Sequence, residues 1–223
     1  MHIAIVTFDG FNELDSLIAL GILHRVAAAD APDGEWRVSI ASPTPTVTSM
    51  NGVVLYAQAT LAEAVAADVV LVGSGIRTRE VVADPALMGA LQFDPTRQLI
   101  GAQCSGALVL AKLGLLGDVP ACTDLTTKPW VQEAGVQVLD QPFVAAGNVA
   151  TAGGCLASQY LAAWVIARLV GVDAAASAIH YVAPVGEKAA SVERALGNIR
   201  PYLPVPGSVS DAAAVPRTGV RTG

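Results

Sequence analysis

Cys104 stands where a short apolar run, Leu99 to Ala102, gives way to residues that favour helix from Ser105 onward. The run has the length and pattern of an inner strand of a parallel sheet. Cys104 therefore falls at a strand-to-helix turn, flanked by small residues that tolerate a tight backbone. That is the geometry of a nucleophile elbow, with cysteine where hydrolases carry serine. Free amides at the start of the Ser105 helix are expected to lower the thiol's pKa and to hold negative charge developing on a substrate atom. The same residue types also fit a small buried hydrophobe, which is what most free cysteines are.

Asp15 is the second candidate. It lies in the first turn of the first helix, beyond the C-terminal end of the first strand, and that edge of a doubly wound sheet is where ligands bind. An acid in a first helical turn is also favoured by the helix dipole alone, so position leaves both readings open. The third candidate is the loop Gly73-Ser74-Gly75-Ile76-Arg77. Its small residues let backbone amides approach a ligand, which makes Ser74 and Gly75 candidate substrate- or oxyanion-binding residues. It lacks the Lys-Ser/Thr ending and glycine spacing of a phosphate loop, and a plain tight turn fits it as well.

The elements that must position these residues follow in order. Ile3 to Phe8 is the first strand, Asp9 to Asn12 a turn, and Leu14 to Ala29 a helix. Trp36 to Ala41 reads as a second parallel strand. Val47 to Met50 and Val53 to Tyr56 flank Asn51-Gly52, a strong hairpin signal. Leu61 to Ala66 is a short helix and Val69 to Val72 an inner strand. After the Cys104 helix, Gly114 to Gly117 ends it, Ala121 to Asp124 begins another strand and loop, and Lys128 to Ala134 is a short helix. Val136 to Leu139 and Phe143 to Ala146 flank a turn. Asn148 to Ala152 is a strand, Leu156 to Val170 a long apolar helix, Ala174 to His180 one more, and Val185 to Glu187 a turn and helix start. The fold class expected is α/β: a doubly wound, mostly parallel sheet with helices on both faces and a small β-hairpin insertion. Residues 1–203 are expected to form one domain. From residue 204 to 223 the chain is rich in Pro, Gly, Ser and Thr and reads as a tail without its own core.

Composition sets outer bounds. Of 223 residues, 53% are hydrophobic and only 14% charged, so a large core is expected. No apolar run reaches membrane-spanning length, and the first residues read as a strand with no basic flank rather than a signal peptide, so a cytoplasmic protein is expected. A formal net charge of −6 argues against a nucleic-acid partner, since phosphate binding needs a basic face. Cys104, Cys122 and Cys155 show no metal-type spacing, and His2, His24 and His180 are scattered, so no metal and no cofactor is expected. Cys122 and Cys155 read as buried core thiols, and Trp130 and Trp164 as core or dimer-contact residues.

Four stretches together resemble the ThiJ/PfpI superfamily, a branch of the class I glutamine amidotransferase-like, flavodoxin-like fold. They are Phe8-Asp9-Gly10-Phe11 with Leu14-Asp15, the Val70 to Gly75 strand and loop, Gln103-Cys104-Ser105-Gly106 with Leu113 to Leu116, and Thr151-Ala152-Gly153-Gly154 before a long helix. Leu14-Asp15 is most similar to the isonitrile hydratase branch. The resemblance implies that Asp15 faces the nucleophilic Cys104 across a pocket and that the hydroxyl residue after the cysteine, Ser105, helps position substrate or water. Chaperone/deglycase-type relatives generally carry Glu at the Asp15 position. Protease-like relatives usually have His at the position of Asp124, so a Cys–His dyad is not expected, and Asp124 stands as a candidate substrate- or oxyanion-binding residue. The loop departs from the usual Pro-Gly-Gly-x-Gly, and Arg77 is a candidate for narrowing the pocket or meeting an anionic group. A homodimer acting on a small molecule is implied.

The expected activity is hydration of small isonitriles to N-substituted formamides, with Cys104 as nucleophile and Asp15 as general acid and base. Deglycase or glyoxalase-like chemistry is the nearest enzymatic competitor. A non-enzymatic role, oxidation sensing or ligand binding through the same cysteine, is the competitor of a different kind.

Overall fold

Alternation along the inner strands divides the interior into two cores. In β1 (His2–Val6), Ile3 and Ile5 join one and Ala4 and Val6 the other, as the two-residue period of a strand requires. The computed structural model describes residues 1–27 and 30–204. After β1 come α1 (Glu13–Leu23), β2 (Arg37–Ser42), β3 (Thr46–Thr48), β4 (Val54–Tyr56), β5 (Ala59–Thr60), α2 (Leu61–Ala66) and β6 (Val69–Val72). The chain continues through α3 (Thr78–Ala83), α4 (Pro85–Ala90), β7 (Leu99–Gln103), α5 (Gly106–Lys112) and α6 (Lys128–Glu133). It closes with β8 (Phe143–Ala146), β9 (Val149–Ala152), α7 (Ser158–Leu169), α8 (Val172–Val182) and α9 (Lys188–Ile199).

Seven strands form one sheet in the order β5-β2-β1-β6-β7-β9-β8, parallel except where β8 meets β9. One core packs α1, α7, α8 and α9 on one face of the sheet, with Trp164 fully buried. The other packs α2, α3, α5 and α6 on the opposite face. This is the doubly wound α/β fold expected from the sequence. The Asn51-Gly52 hairpin is also present, as β3 and β4 paired in a small sheet of their own. From β1 the chain passes to β2 on one side and later returns to β6 on the other, so the C-terminal ends of β1 and β6 flank a topological switch point, where such sheets form ligand crevices.

Several boundaries differ from the sequence reading. The first helix stops at Leu23 rather than Ala29, because Trp36 Nε1 donates to the Leu23 carbonyl at 2.8 Å and the chain turns at His24. Part of the expected helix, residues 28–29, lies outside the described residues. Ala121 to Asp124 forms no strand and makes only a single bridge, Ala121 to Val138. Its polar groups are taken by side chains and by the elbow instead, with the Cys122 N–H donating to Thr151 Oγ1 and Thr123 Oγ1 to the Cys104 carbonyl. Val136 to Leu139 is not a strand either: it bridges to Ala121 alone, which accepts the Leu139 N–H and donates to the Gln137 carbonyl, and β8 pairs with β9 alone. Of the expected tail, residues 205–223 lie outside the described residues. Among the described residues no helix is long and apolar enough to cross a membrane.

Candidate active site

β7 delivers Cys104 to the carboxyl edge of the sheet and the chain then turns sharply. Cys104 has φ +43°, and among the described residues it alone adopts positive φ without being glycine. A non-glycine residue in that region costs about 1–3 kcal/mol and persists only where its surroundings hold it. Here the Cys104 N–H donates to the Ala152 carbonyl at 2.8 Å, and Thr123 Oγ1 donates to the Cys104 carbonyl at 2.8 Å. Gly106 lets α5 start hard against β6, since a Cβ there would stand 2.5 Å from the Val72 carbonyl oxygen.

Asp15 reaches the same place from α1. Asn12 caps that helix, its Oδ1 accepting the Leu14 N–H at 3.1 Å. The loop after β6 is laced to the loop after β1, with the Asn12 N–H donating to the Ser74 carbonyl and the Ile76 N–H to the Gly10 carbonyl. This lacing puts Ser74 Oγ in a short hydrogen bond to one Asp15 oxygen, while Ser16 Oγ donates to the other at 3.2 Å. Asp15 is fully buried rather than turned to solvent. Burial raises its pKa to about 6, against the lowering influence of the Ser74, Ser16 and Cys104 hydrogen bonds.

The Cys104 thiol departs from expectation. Burial, followed by the charges of Asp15, Cys155 and Asp124, pushes its pKa up, and the Gly154 N–H opposes this only in part. The helix-start amides expected to lower it are outweighed because Cys104 is 4% exposed and has a carboxylate beside its sulfur. Two anions are disfavoured in this confined space, so the Asp15–Cys104 pair retains one proton at neutral pH. A resting thiol with Asp15 as its proton acceptor replaces the free thiolate.

An open cavity of about 410 Å³ lies over the elbow, with Cys104, Cys155, Asn12, Asp124 and Trp130 among its walls. Asp15 is not on its surface but lies behind Cys104 and Ser74, so the acid sits under the floor rather than on an opposite wall. Ser105 lines the cavity, yet its Oγ is engaged with Thr78 Oγ1 at 2.8 Å and accepts the Gly75 N–H at 3.1 Å. The Gly75 amide expected to face a substrate oxyanion is therefore already used. Arg77 is turned away and exposed, in an ion pair with Glu80 at 2.6 Å, and is absent from the cavity walls. Asp124 lines the cavity while its Oδ1 accepts the Thr126 and Thr127 N–H groups ahead of α6. None of the three histidines lines the cavity.

Cys155 overturns the buried-core reading. It is half-buried on the cavity wall, and Asn12 Nδ2 donates to its sulfur at 3.1 Å. Neither Cys155 nor Asn12 stood out in the sequence as part of a site. The Gly153-Gly154 turn just before Cys155 was the one signal that pointed there. A carboxylate oxygen of Asp15 and the sulfurs of Cys104 and Cys155 all lie within 4.8 Å of one another. Such an O,S,S set could hold a soft divalent cation, a grouping that chain spacing could not reveal. Cys122, by contrast, is fully buried, as expected.

Fold and site together define a class: α/β proteins that turn a strained cysteine out of a central strand, over a buried acid at the sheet's switch point. The sequence matches the DJ-1/PfpI family over residues 1–168, and the chain belongs to that family. No curated protein sequence matches the chain. Among solved structures it is similar to a ThiJ/PfpI family protein from Pseudomonas syringae, with 19% identity and a TM-score of 0.71, covering 89% of this chain and 87% of that one. It is similar to a DJ-1 superfamily protein from Salmonella typhimurium, solved as a cysteine-to-alanine mutant, with 23% identity, a TM-score of 0.65 and coverage of 92% and 99%. Drosophila melanogaster DJ-1beta is also similar, with 21% identity, a TM-score of 0.68 and coverage of 81% and 96%. At these identities the likeness speaks for the fold.

Proposed function

We propose that the protein adds water to small isonitriles, giving N-substituted formamides. The observation that carries the reading is the buried Asp15 carboxyl against the Cys104 sulfur at the floor of an open cavity. The family includes hydratases, deglycases and proteases, and the cavity holds no histidine to complete a Cys–His dyad.

An isonitrile carbon is electrophilic but becomes carbanion-like once attacked, so it needs a nucleophile and a proton at one place. Asp15 takes the Cys104 proton as the sulfur bonds to the terminal carbon, then returns it to that carbon, leaving a covalent thioimidate. Again a carboxylate, Asp15 accepts a proton from the water that attacks the thioimidate carbon and passes it to the substrate nitrogen. Collapse of the tetrahedral adduct breaks the C–S bond, and Asp15 relays the adduct's hydroxyl proton to the departing Cys104 sulfur as the formamide is freed. One water is consumed and no redox change occurs. The Gly154 N–H supports negative charge on the sulfur as it attacks and as it leaves.

The test follows formamide formation from an aryl isonitrile with purified protein. Wild type should turn over and Cys104→Ala should fall to the uncatalysed rate. Turnover undiminished in Cys104→Ala would reject the reading. Lactate from methylglyoxal, with no formamide, would move it to glyoxalase-like chemistry.

A further inference from the structure

We propose that Cys155 is the resolving thiol of Cys104, so that the two close into a disulfide when a hydroperoxide oxidises the site. The juxtaposition is built into the sheet. β7 and β9 are parallel neighbours with Gln103 opposite Ala152, and Cys104 and Cys155 follow those residues out of the same edge. The hydrogen bond from the Cys104 N–H to the Ala152 carbonyl ties the two exits together. Their sulfurs lie within 4.8 Å and face one open cavity, where a small peroxide can reach both. Closing from that separation to an S–S bond of about 2.05 Å takes side-chain rotation together with adjustment of the turn that Cys155 begins. That turn is a single short helical turn entered through Gly154, which has φ +91°. Asn12 Nδ2 already donates to the Cys155 sulfur, a partner suited to the negative charge that sulfur carries as it attacks.

The chemistry balances with hydrogen peroxide as oxidant. Asp15 accepts the Cys104 proton as the sulfur attacks the peroxide, the O–O bond breaks, Cys104 becomes a sulfenic acid and one water leaves. The Cys155 sulfur then attacks the Cys104 sulfur, the S–O bond breaks, and the hydroxyl departs as a second water, carrying the Cys155 proton. Two thiols are oxidised, one peroxide is reduced, and an external dithiol restores the pair. The consequence is protective: the disulfide occupies the sulfur that would otherwise advance to an irreversible sulfinic acid. The inference needs only a reachable Cys104 and stands apart from isonitrile turnover.

The experiment treats the reduced protein with three equivalents of hydrogen peroxide, more than the two that a sulfinic acid consumes, followed by thiol titration and non-reducing peptide mapping. Wild type should lose two of its three thiols, yield a Cys104–Cys155 linked peptide, and recover all three with dithiothreitol. Cys122→Ser should form the same link. Cys155→Ser, shown folded by circular dichroism, should instead carry Cys104 to sulfinic acid, and Cys155→Ala should do likewise. Sulfinic acid at Cys104 of the wild type with Cys155 still free, or a link through Cys122, would overturn the proposal. Isonitrile turnover measured on the same reduced samples reports separately on the hydratase reading.

Discussion

The Asp15 carboxyl sits fully buried behind the Cys104 sulfur, each from a different crossover, with Ser74 from the intervening strand's loop bonded to the acid. Acid and thiol therefore share a proton, the acid shut off from solvent and the sulfur at the floor of the open cavity. The substrate meets the sulfur first, with the acid immediately behind it, within 4.8 Å.

Replacing Asp15 by Asn removes the proton carrier while leaving the sulfur in place. Turnover of an aryl isonitrile should fall by about 10²–10⁴-fold. Because the Asp15 charge is one cause of the raised thiol pKa, the pH midpoint for iodoacetamide alkylation of Cys104 should move down in this variant. Normal turnover, or an unmoved midpoint, would reduce Asp15 to a packing residue.

The same carboxyl makes stability depend on pH. Its folded pKa of about 6 lies above the ordinary value of 3.8, so the folded state holds a proton that the unfolded state releases. The stability present below about pH 4 is lost as pH rises through 6, amounting to about 3 kcal/mol once both states are ionised. Denaturant unfolding at pH 4.5 and pH 8 should show Asp15→Asn gaining on the wild type at the higher pH. A pH-independent difference between the two would contradict the buried, ionising carboxyl.

Gly106→Ala should be destabilising by about 1–3 kcal/mol, since the added methyl meets the Val72 and Gly73 carbonyls, which are backbone and cannot swing aside. Turnover should drop as well, because relief of the clash shifts α5 and the elbow with it. Thermal melting and the isonitrile assay check both parts.

Arg77→Ala should change kcat/KM by less than about threefold, because an exposed ion pair of this kind is worth about 0–1 kcal/mol and the guanidinium is turned toward Glu80. A tenfold loss would return Arg77 to substrate binding.

Chain order alone carried the architecture a long way. Val69-Val70-Leu71-Val72 and Leu61 to Ala66 were legible to the residue, because uninterrupted apolar strands and well-capped short helices are local matters. Ala121 to Asp124 was not, because its hydrogen bonds go to Thr151 and to the elbow, partners remote in sequence. The pairing of Arg77 with Glu80 was not legible for a similar reason: a loop reveals its composition but not which way each side chain leaves it.

The sequence by itself determined that a cysteine would stand at a strand-to-helix turn in a doubly wound sheet, and that an acid would open the first helix. Tertiary structure decided the rest: that the acid lies under the thiol, that burial and its charge keep the thiol protonated, and that Cys155 belongs to the same cluster. Periodicity and turn chemistry act over a few residues and can be read along the chain. Ionisation and sulfur–sulfur proximity depend on solvent exclusion and on strand order, which exist only once the sheet has closed.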